Sequence, residues 1–120
     1  MKDNLILEKS MAFAIRIVNT YQYLSIEKKE YTMSRQLLRC GTSIGANIHE
    51  GVNGQTRKDF LSKMYISFKE ASETEYWIIL LTRTGYLNET RSEDILSECV
   101  EIKRILNAII KTTKQKDKPQ

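Results

Sequence analysis

The chain has 120 residues, of which 41% are apolar and 28% are charged, proportions typical of a single globular domain. Nineteen Lys and Arg against fifteen Asp and Glu leave a net charge of +4, a smaller excess than dedicated nucleic-acid-binding domains carry. One Pro and five Gly are too few for a turn-dense all-β fold, so the composition favours helices. The longest apolar run, residues 76–81, is too short for a membrane span or a secretion signal, and we therefore expect a cytoplasmic protein.

The first predicted helix covers residues 4–29. Its apolar side chains recur at alternating spacings of four and three residues, the pattern of a helix packed at a shallow angle in a bundle. The stripe that we expect to face the core consists of Leu7, Met11, Ala14, Val18 and Tyr21. The charged and polar stretch 27–32 predicts the connection to the second helix.

The second predicted helix covers residues 33–52, and its core stripe is Leu37, Gly41, Ile44 and Ile48. Gly41 and Gly45 would each cost roughly 1 kcal/mol in an exposed helix interior. Because small residues four positions apart let two backbones come close together, we expect another helix to pack against this pair. Gly51 and Gly54 are predicted to end the helix.

The third and fourth predicted helices cover residues 57–84 and 90–113. A weak capping box at residues 56–59 precedes the third, Gly85 follows it, and a stronger capping box at residues 90–93 opens the fourth. The third helix has its core stripe at Phe60, Leu61, Met64, Phe68, Ala71, Ile78, Ile79 and Thr82. The fourth has its core stripe at Ile95, Cys99, Ile102, Leu106 and Ile109. Residues 114–120 contain no large apolar side chain and are predicted to be a disordered basic tail.

Four amphipathic helices predict an all-α fold, because each apolar stripe must find another stripe against which to be buried. The connections are short, so consecutive helices should lie side by side in opposite directions. The economical arrangement is an antiparallel up-down four-helix bundle, formed by residues 1–113 as one domain.

The inventory of catalytic side chains is small. His49 is the only histidine, so neither a histidine pair for a metal ion nor a histidine relay can be assembled. Cys40 lies more than two helical turns from His49, and we expect Cys40 and Cys99 to be small buried apolar groups. The glycines match no nucleotide-binding motif. We therefore predict a protein without enzymatic activity, metal ion, cofactor or small-molecule substrate.

One carboxylate and one polar stripe stand out from the helical pattern. Glu75 falls within the predicted core stripe of the third helix, where an unpaired charge would be costly, so we expect it to have a hydrogen-bonding or ion-pairing partner. A polar stripe with small members lies opposite the core stripe of the second helix. Its members are Arg39, Ser43, Ala46 and Glu50. This stripe is either a solvated surface or a contact with another chain.

A second apolar group on the third helix points away from its core stripe. Its members are Ile66, Trp77 and Leu80. A bundle made by one chain has no core for such a group to enter, and apolar surface of this kind is typical of a subunit interface. We therefore predict a homo-oligomer in which Ile66, Trp77 and Leu80 contact another subunit.

The end of the fourth helix is basic. The candidate contacts to nucleic acid are Lys111, Lys114, Lys116 and Lys118. Lysines near the end of a helix also complement the helix dipole, which explains part of the pattern. If oligomerisation brings several such ends together on one rim, their combined charge would hold the phosphate backbone of RNA without reading its sequence.

Residues 39–51 carry an ordered motif of Arg39, Ser43-Ile44, Asn47-Ile48 and Glu50-Gly51. A second block follows at Asp59-Phe60, residues 67–77 and residues 84–87. Both blocks resemble the bacterial four-helix-bundle family that includes the proteins encoded in intervening sequences of 23S ribosomal RNA. The resemblance covers nearly the whole chain. The chain is also similar to the accessory protein of diversity-generating retroelements.

The resemblance implies a ring of five bundles with a central pore, associated with nucleic acid and a reverse transcriptase. It also implies structural roles, in helix pairing and subunit contacts, for Arg39, Ser43, Asn47, Glu50, Gly51 and Glu75. The expected function is that of a non-catalytic homopentamer that associates with RNA or ribonucleoprotein. The alternative is a protein-interaction scaffold without affinity for nucleic acid.

Overall fold

The computed structural model describes residues 2–116, with side chains described for residues 5–116. Within this range the chain forms four helices and no strand: α1 Lys2–Ile26, α2 Met33–Val52, α3 Arg57–Arg83 and α4 Glu89–Lys116. Each helix packs against the next, and α4 packs against α1, in a rod of 55 × 22 × 21 Å. The predicted all-α four-helix bundle is confirmed. None of these helices combines the length and the hydrophobicity needed to cross a lipid bilayer.

The core stripes predicted for α2 and α4 are confirmed, since every member of both stripes is buried. The predicted close approach to α2 is also found. A methyl group built on Gly41 would stand 2.7 Å from the side chain of Ile17, and one built on Gly45 would stand 3.3 Å from Ser10 Oγ. The earlier residue of α1, Ser10, lies against the later glycine of α2, Gly45, and Ile17 lies against Gly41. The two helices therefore run antiparallel and pack closely at this pair of glycines.

The prediction of which side of α1 faces the core is wrong. The buried side chains of α1 are instead Ile6, Ser10, Phe13, Ile17 and Leu24. Met11 is 64% exposed and Val18 is 38% exposed. Both stripes have helical spacing, but the glycines of α2 admit Ser10 and Ile17, and this contact sets the rotation of α1 about its axis. The predicted stripe therefore lies largely on the surface, beside α2.

The core face of α3 differs in part from the predicted stripe. It consists of Met64, Ser67, Ala71, Thr74, Ile78 and Leu81. Three members of the predicted stripe are among these residues, and the others are half-buried beside the core. Ser67 enters the core because its hydroxyl donates a 2.8 Å hydrogen bond to the carbonyl oxygen of Ile44 on α2. A pattern of hydrophobic residues cannot find a serine that is satisfied in this way.

Helix α1 ends at Ile26, three residues before its predicted end, so the connection to α2 covers residues 27–32, the stretch whose polar composition predicted it. Lys29 has a left-handed backbone conformation, with φ at +56°, which cannot continue a helix. The next side chain, Glu30, is only 9% exposed. Its carboxylate accepts hydrogen bonds from the backbone N–H groups of Thr32, Met33 and Ser34 at 3.2, 3.1 and 2.8 Å. Glu30 therefore caps α2.

Local capping interactions set the start and end of α3 and the start of α4. Thr56 Oγ1 accepts a backbone N–H at 3.0 Å, as its predicted capping role requires. Gly85 has φ at +86° just after the end of α3, as predicted for a glycine that ends a helix. Helix α4 begins one residue earlier than predicted, because Asn88 rather than Thr90 caps it. Asn88 Oδ1 accepts the backbone N–H of Arg91 at 2.7 Å.

Helix α4 continues to Lys116, so residues 114–116 of the predicted disordered tail are helical. Two interactions favour this extra turn. Lys114 Nζ lies 5.7 Å from the centre of the Tyr65 ring, and lysines in a last turn complement the helix dipole. The rest of the predicted tail, residues 117–120 with Lys118, lies outside the described residues.

Candidate interaction surface

The polar residues of the 39–51 motif form a row along the side of α2 that faces α3. They are Arg39, Ser43, Asn47 and Glu50. The Ser43 hydroxyl donates a 2.7 Å hydrogen bond to the carbonyl oxygen of Arg39. Asn47 Nδ2 donates a 2.8 Å hydrogen bond to the carbonyl oxygen of Ser43. Both side chains are thus satisfied within α2, and their conformations are fixed along the helix surface.

Arg39 joins α2 to α3. Its guanidinium pairs with the carboxylate of Glu70 at 3.4 Å and with the carboxylate of Glu73. Glu73 also accepts a 2.9 Å hydrogen bond from Trp77 Nε1. The Tyr76 ring packs edge-on against the indole, with 5.1 Å between ring centroids. The Glu73 carboxylate therefore links Arg39 to Trp77, one of the residues predicted to contact another subunit.

The row continues towards the end of α2. Glu50 pairs with Lys63 on α3, with 3.1 Å between Oε1 and Nζ. Gly51 is predicted to end α2 but lies buried inside its last turn, which reaches Val52. A methyl group on Gly51 would stand 2.8 Å from Met64 Cε. Helix α2 ends at Val52, between Gly51 and Gly54, as predicted, and Gly51 also permits the close approach of α2 to α3.

Glu75 lies apart from this row, on the side of α3 that faces α4. Its side chain is 29% exposed, so it borders the core rather than occupying its centre. Lys103 Nζ lies 2.8 Å from the carboxylate and 5.4 Å from the centre of the Phe68 ring. Glu75 therefore has a cationic partner, and the pair bridges α3 and α4.

An apolar surface on α3 lies next to the Glu73 carboxylate. It is formed by Tyr76, Trp77 and Leu80. Ile66, the other side chain predicted to contact a subunit, lies about three turns earlier on α3, with Glu70 and Glu73 in between. We call these four side chains the α3 patch. Tyr76 is 58% exposed and Ile66 is 40% exposed, while Trp77 and Leu80 are half-buried. The structure therefore leaves all four side chains in contact with solvent.

A second apolar surface lies on the other side of α2. There α1 and α2 enclose a groove of about 350 Å³, which we call the α1–α2 groove. It is lined by Leu7, Ser10, Met11, Ala14, Thr42, Gly45, Ala46 and His49. Ile15, beside it on α1, is 56% exposed. The lining residues are mostly small or apolar, and His49 is the only ionisable group among them.

One end of the rod is basic. A cleft of about 500 Å³ opens there between the α2–α3 connection and the last turns of α4, and Arg57 and Lys116 contribute to its lining. Lys111 and Lys114 are exposed on the same turns of α4. We call this end, with Lys58 beside Arg57, the basic end. The structure thus brings the three described members of the predicted nucleic-acid set together.

The cysteine thiols are packing groups. Cys40 and Cys99 are both buried and unbridged. Burial raises the pKa of the Cys40 thiol to about 11. Burial, and secondly the charge of the Glu75 carboxylate, raises the pKa of the Cys99 thiol to about 12. Among residues 5–116, moreover, no group of three or more His, Cys, Asp or Glu side chains is placed to hold a metal ion.

Residues 2–108 match the family described as 23S rRNA-intervening sequence protein. The chain belongs to this family. A solved structure is similar to this chain over almost all of its length. It is a protein of unknown function from the S23 ribosomal protein family of Bacteroides thetaiotaomicron, with 52% sequence identity and a TM-score of 0.91, covering 92% of this chain and 99% of that chain. No curated protein matches the chain.

The sequence contains one signal for a contact that the sequence analysis missed. Glu73 stands four residues before Trp77, the spacing at which helical side chains meet, so their hydrogen bond was predictable. The exposure of Met11 and Ile15 was not predictable in this way, because α1 has apolar residues on two of its faces. The family membership inferred from the two sequence blocks is confirmed.

Proposed function

We propose that this member of the family is a non-catalytic structural protein that assembles into a ring and binds RNA along one rim, in the cytoplasm. One observation carries the proposal. A single bundle leaves a stripe of large apolar side chains exposed on α1, including Met11, Ile15 and Val18. Contiguous apolar surface of this kind on a folded protein usually marks an interaction site. Five subunits are the number implied by the resemblance to the retroelement accessory protein.

The side-chain chemistry supports a role without catalysis. Cysteine is a nucleophile as the thiolate, and burial keeps Cys40 and Cys99 protonated at neutral pH. His49 is exposed on α2, where its ring meets open solvent at the rim of the groove. Apart from the His49 ring at its rim, the α1–α2 groove is lined by small, aliphatic and hydroxyl side chains and the thioether of Met11, a chemistry suited to packing against another protein.

The basic end supports an RNA-binding rim. A ring whose axis runs parallel to the rods would gather this end from every subunit onto the same rim. Each subunit would then contribute Lys111, Lys114 and Lys116 beside Arg57. Lysine and arginine side chains bind phosphates by releasing condensed counterions, which gives affinity without sequence specificity.

The first test measures mass in solution. Light scattering on the purified full chain should give a multiple of the 14.0 kDa subunit mass, with five subunits expected. A monomer at all protein concentrations would overturn the proposed assembly.

The second test measures RNA binding in gel shifts at increasing salt concentration. Replacing Lys111 and Lys116 with Gln should weaken binding and reduce the salt dependence, with the slope falling by about 0.7 to 0.9 for each phosphate that the variant no longer neutralises. The matched control replaces Lys28 and Lys29, two exposed lysines at the opposite end of the rod, and should leave both quantities unchanged. No binding at low salt, with assembly intact, would instead favour the protein-interaction scaffold.

A further inference from the structure

A small cleft opens on the outer side of the bundle between α3 and α4. Its volume is about 290 Å³, and its lining consists of Phe68, Glu75, Val100, Lys103, Arg104 and Asn107. This volume is a little less than that of clefts that bind drug-sized ligands, so the cleft suits a single ring system. Phe68 and Val100 are half-buried and give the cleft an apolar floor, while Arg104 is exposed at its border.

The charges of α4 are segregated around the helix. Glu98 and Glu101 lie on the side of α1, where they pair with Arg16 and Lys9 at 2.9 Å each. The side of α4 next to α3 carries a row of polar residues spaced four, four and three positions apart, without any acidic member. The row, which we call the basic row of α4, consists of Lys103, Asn107, Lys111 and Lys114. Its positive charge attracts anions to the α3–α4 side of the rod.

Two lysines of the basic row lie over aromatic rings of α3. Lys103 Nζ is 5.4 Å from the centre of the Phe68 ring, and Lys114 Nζ is 5.7 Å from the centre of the Tyr65 ring. Tyr65 and Phe68 are three residues apart, so their rings are neighbours on one side of α3. Tyr65 is 41% exposed. Aromatic rings beside a line of cations are the features with which proteins bind single-stranded nucleic acid, because bases stack on the rings and phosphates bind the cations.

The lysines do not prevent a base from reaching the rings. An exposed contact between an ammonium group and a ring contributes less free energy than the stacking of a base on the same ring. A base can therefore replace the Lys114 ammonium over Tyr65, and the released lysine can bind a phosphate of the same strand. The Glu75 carboxylate in the cleft is paired with Lys103 at 2.8 Å, so its negative charge is already compensated.

We propose that the α3–α4 side of the bundle binds single-stranded RNA, with bases stacked on Tyr65 and Phe68 and phosphates bound by the basic row of α4. This inference rests on the proposed RNA binding and names the form of RNA that is bound. A duplex keeps its bases stacked on one another and offers these rings no free base, so it can use the lysines alone. Tyr65 and Phe68 are also not among the residues predicted to contact another subunit, so assembly and stacking use different side chains.

The test compares a single-stranded RNA of about 12 nucleotides with the duplex that it forms with its complement, by fluorescence anisotropy. Tyr65→Ala should weaken binding of the single strand at least about fivefold, because one stacked base loses its ring. Binding of the duplex should not change. Tyrosine has no charge at neutral pH, so the slope of affinity against salt concentration should also stay the same. Tyr65→Phe keeps an aromatic ring and should bind both RNAs as the natural chain does.

The matched control is Tyr31→Ala. Tyr31 is 48% exposed and lies in the connection between α1 and α2, at the other end of the rod from the basic end. This variant should leave the affinity for both RNAs unchanged. Because Tyr65 is exposed, Tyr65→Ala should keep the helical circular dichroism and the solution mass of the natural chain. Tyr65→Leu, which retains a large apolar side chain without a ring, replaces Tyr65→Ala if that variant proves misfolded.

The other outcomes separate this inference from the proposed function. An unchanged affinity of Tyr65→Ala for the single strand would refute stacking on this ring and leave RNA binding by the basic end standing. Equal losses for the single strand and the duplex, or equal losses in Tyr65→Phe and Tyr65→Ala, would have the same meaning. A natural chain that binds neither RNA at low salt would refute the proposed RNA binding itself.

Discussion

Glu30 fixes both ends of the turn between α1 and α2. Its backbone N–H donates to the carbonyl oxygen of Leu24 at 3.0 Å, which closes the end of α1. Its carboxylate accepts three backbone N–H groups at the start of α2. The first N–H groups of a helix have no partner within the helix, and a carboxylate satisfies them with charge-assisted hydrogen bonds. A charged residue in a connection thereby becomes part of the folded core.

Replacing Glu30 with Ala should lower the free energy of unfolding by about 1 to 2 kcal/mol, because three backbone N–H groups at the start of α2 lose their acceptor, and the N–H of Ser34 is buried. Urea denaturation followed by circular dichroism measures the change. The matched control is Glu27→Ala in the same connection, where the side chain is exposed. Equal effects of the two substitutions would show that the cap contributes nothing.

The two cysteines should be unreactive in the folded protein. Cys40 and Cys99 are fully buried and their thiols are protonated at pH 8, so a thiol reagent should label neither until the chain unfolds. The raised pKa values also have a consequence for stability. Because the folded state holds these protons more tightly, it should lose stability as the pH rises above the ordinary thiol pKa of 9.0 towards 11 and 12. Rapid labelling at pH 8 without unfolding would contradict the burial.

At the scale of elements, α1 is a helix with two apolar faces. One contains Ile6, Phe13 and Ile17 and enters the core, and the other contains Met11 and Val18 and borders the α1–α2 groove. Hydrophobicity along the sequence favours the second face, because Ser10 interrupts the first. The contact of Ser10 and Ile17 with the glycines of α2 reverses that preference.

Gly41→Ala should destabilise the protein even though alanine is the better helix former. The added methyl group would lie 2.7 to 2.9 Å from three carbon atoms of Ile17, and such overpacking typically costs about 1 to 3 kcal/mol. A double-mutant cycle with Ile17→Ala tests the assignment. The double variant should lose less stability than the two single variants together, and strict additivity would contradict the contact.

At the scale of the whole molecule, assembly and RNA binding should be coupled. If several basic ends act together on one rim, RNA affinity depends on multivalency as well as on each lysine. Met11→Glu should therefore lower RNA affinity by at least about tenfold in gel shifts, although the substitution lies far from Lys111 and Lys116 along the chain. Leu5→Glu adds the same charge to an exposed position of α1 that lies nearer the basic end and outside the α1–α2 groove, so it should lower the affinity by less than Met11→Glu does. Equal loss in both variants would mean that added negative charge, rather than assembly, weakens binding.

Local chemistry made much of this bundle predictable. Four segments have helical periodicity, and Thr56 and Gly85 mark the boundaries of α3 by hydrogen bonding and backbone conformation within a few residues. The stripes of α2 and α4 were predictable because each helix has one strongly apolar face. The two ordered sequence blocks also sufficed to indicate the family, since they combine glycine and polar positions in a fixed order.

Tertiary contacts decided the rest. Glu75 forms an ion pair with Lys103, which is 28 residues away along the chain. Glu73 contacts both Trp77 and Arg39 and so connects these two side chains. The sequence by itself determined four helices and their order, because helix formation depends on neighbouring residues. Only the tertiary structure decided which apolar face of α1 is buried and which remains exposed, because two faces of similar hydrophobicity differ only in how well they fit the glycines of another helix.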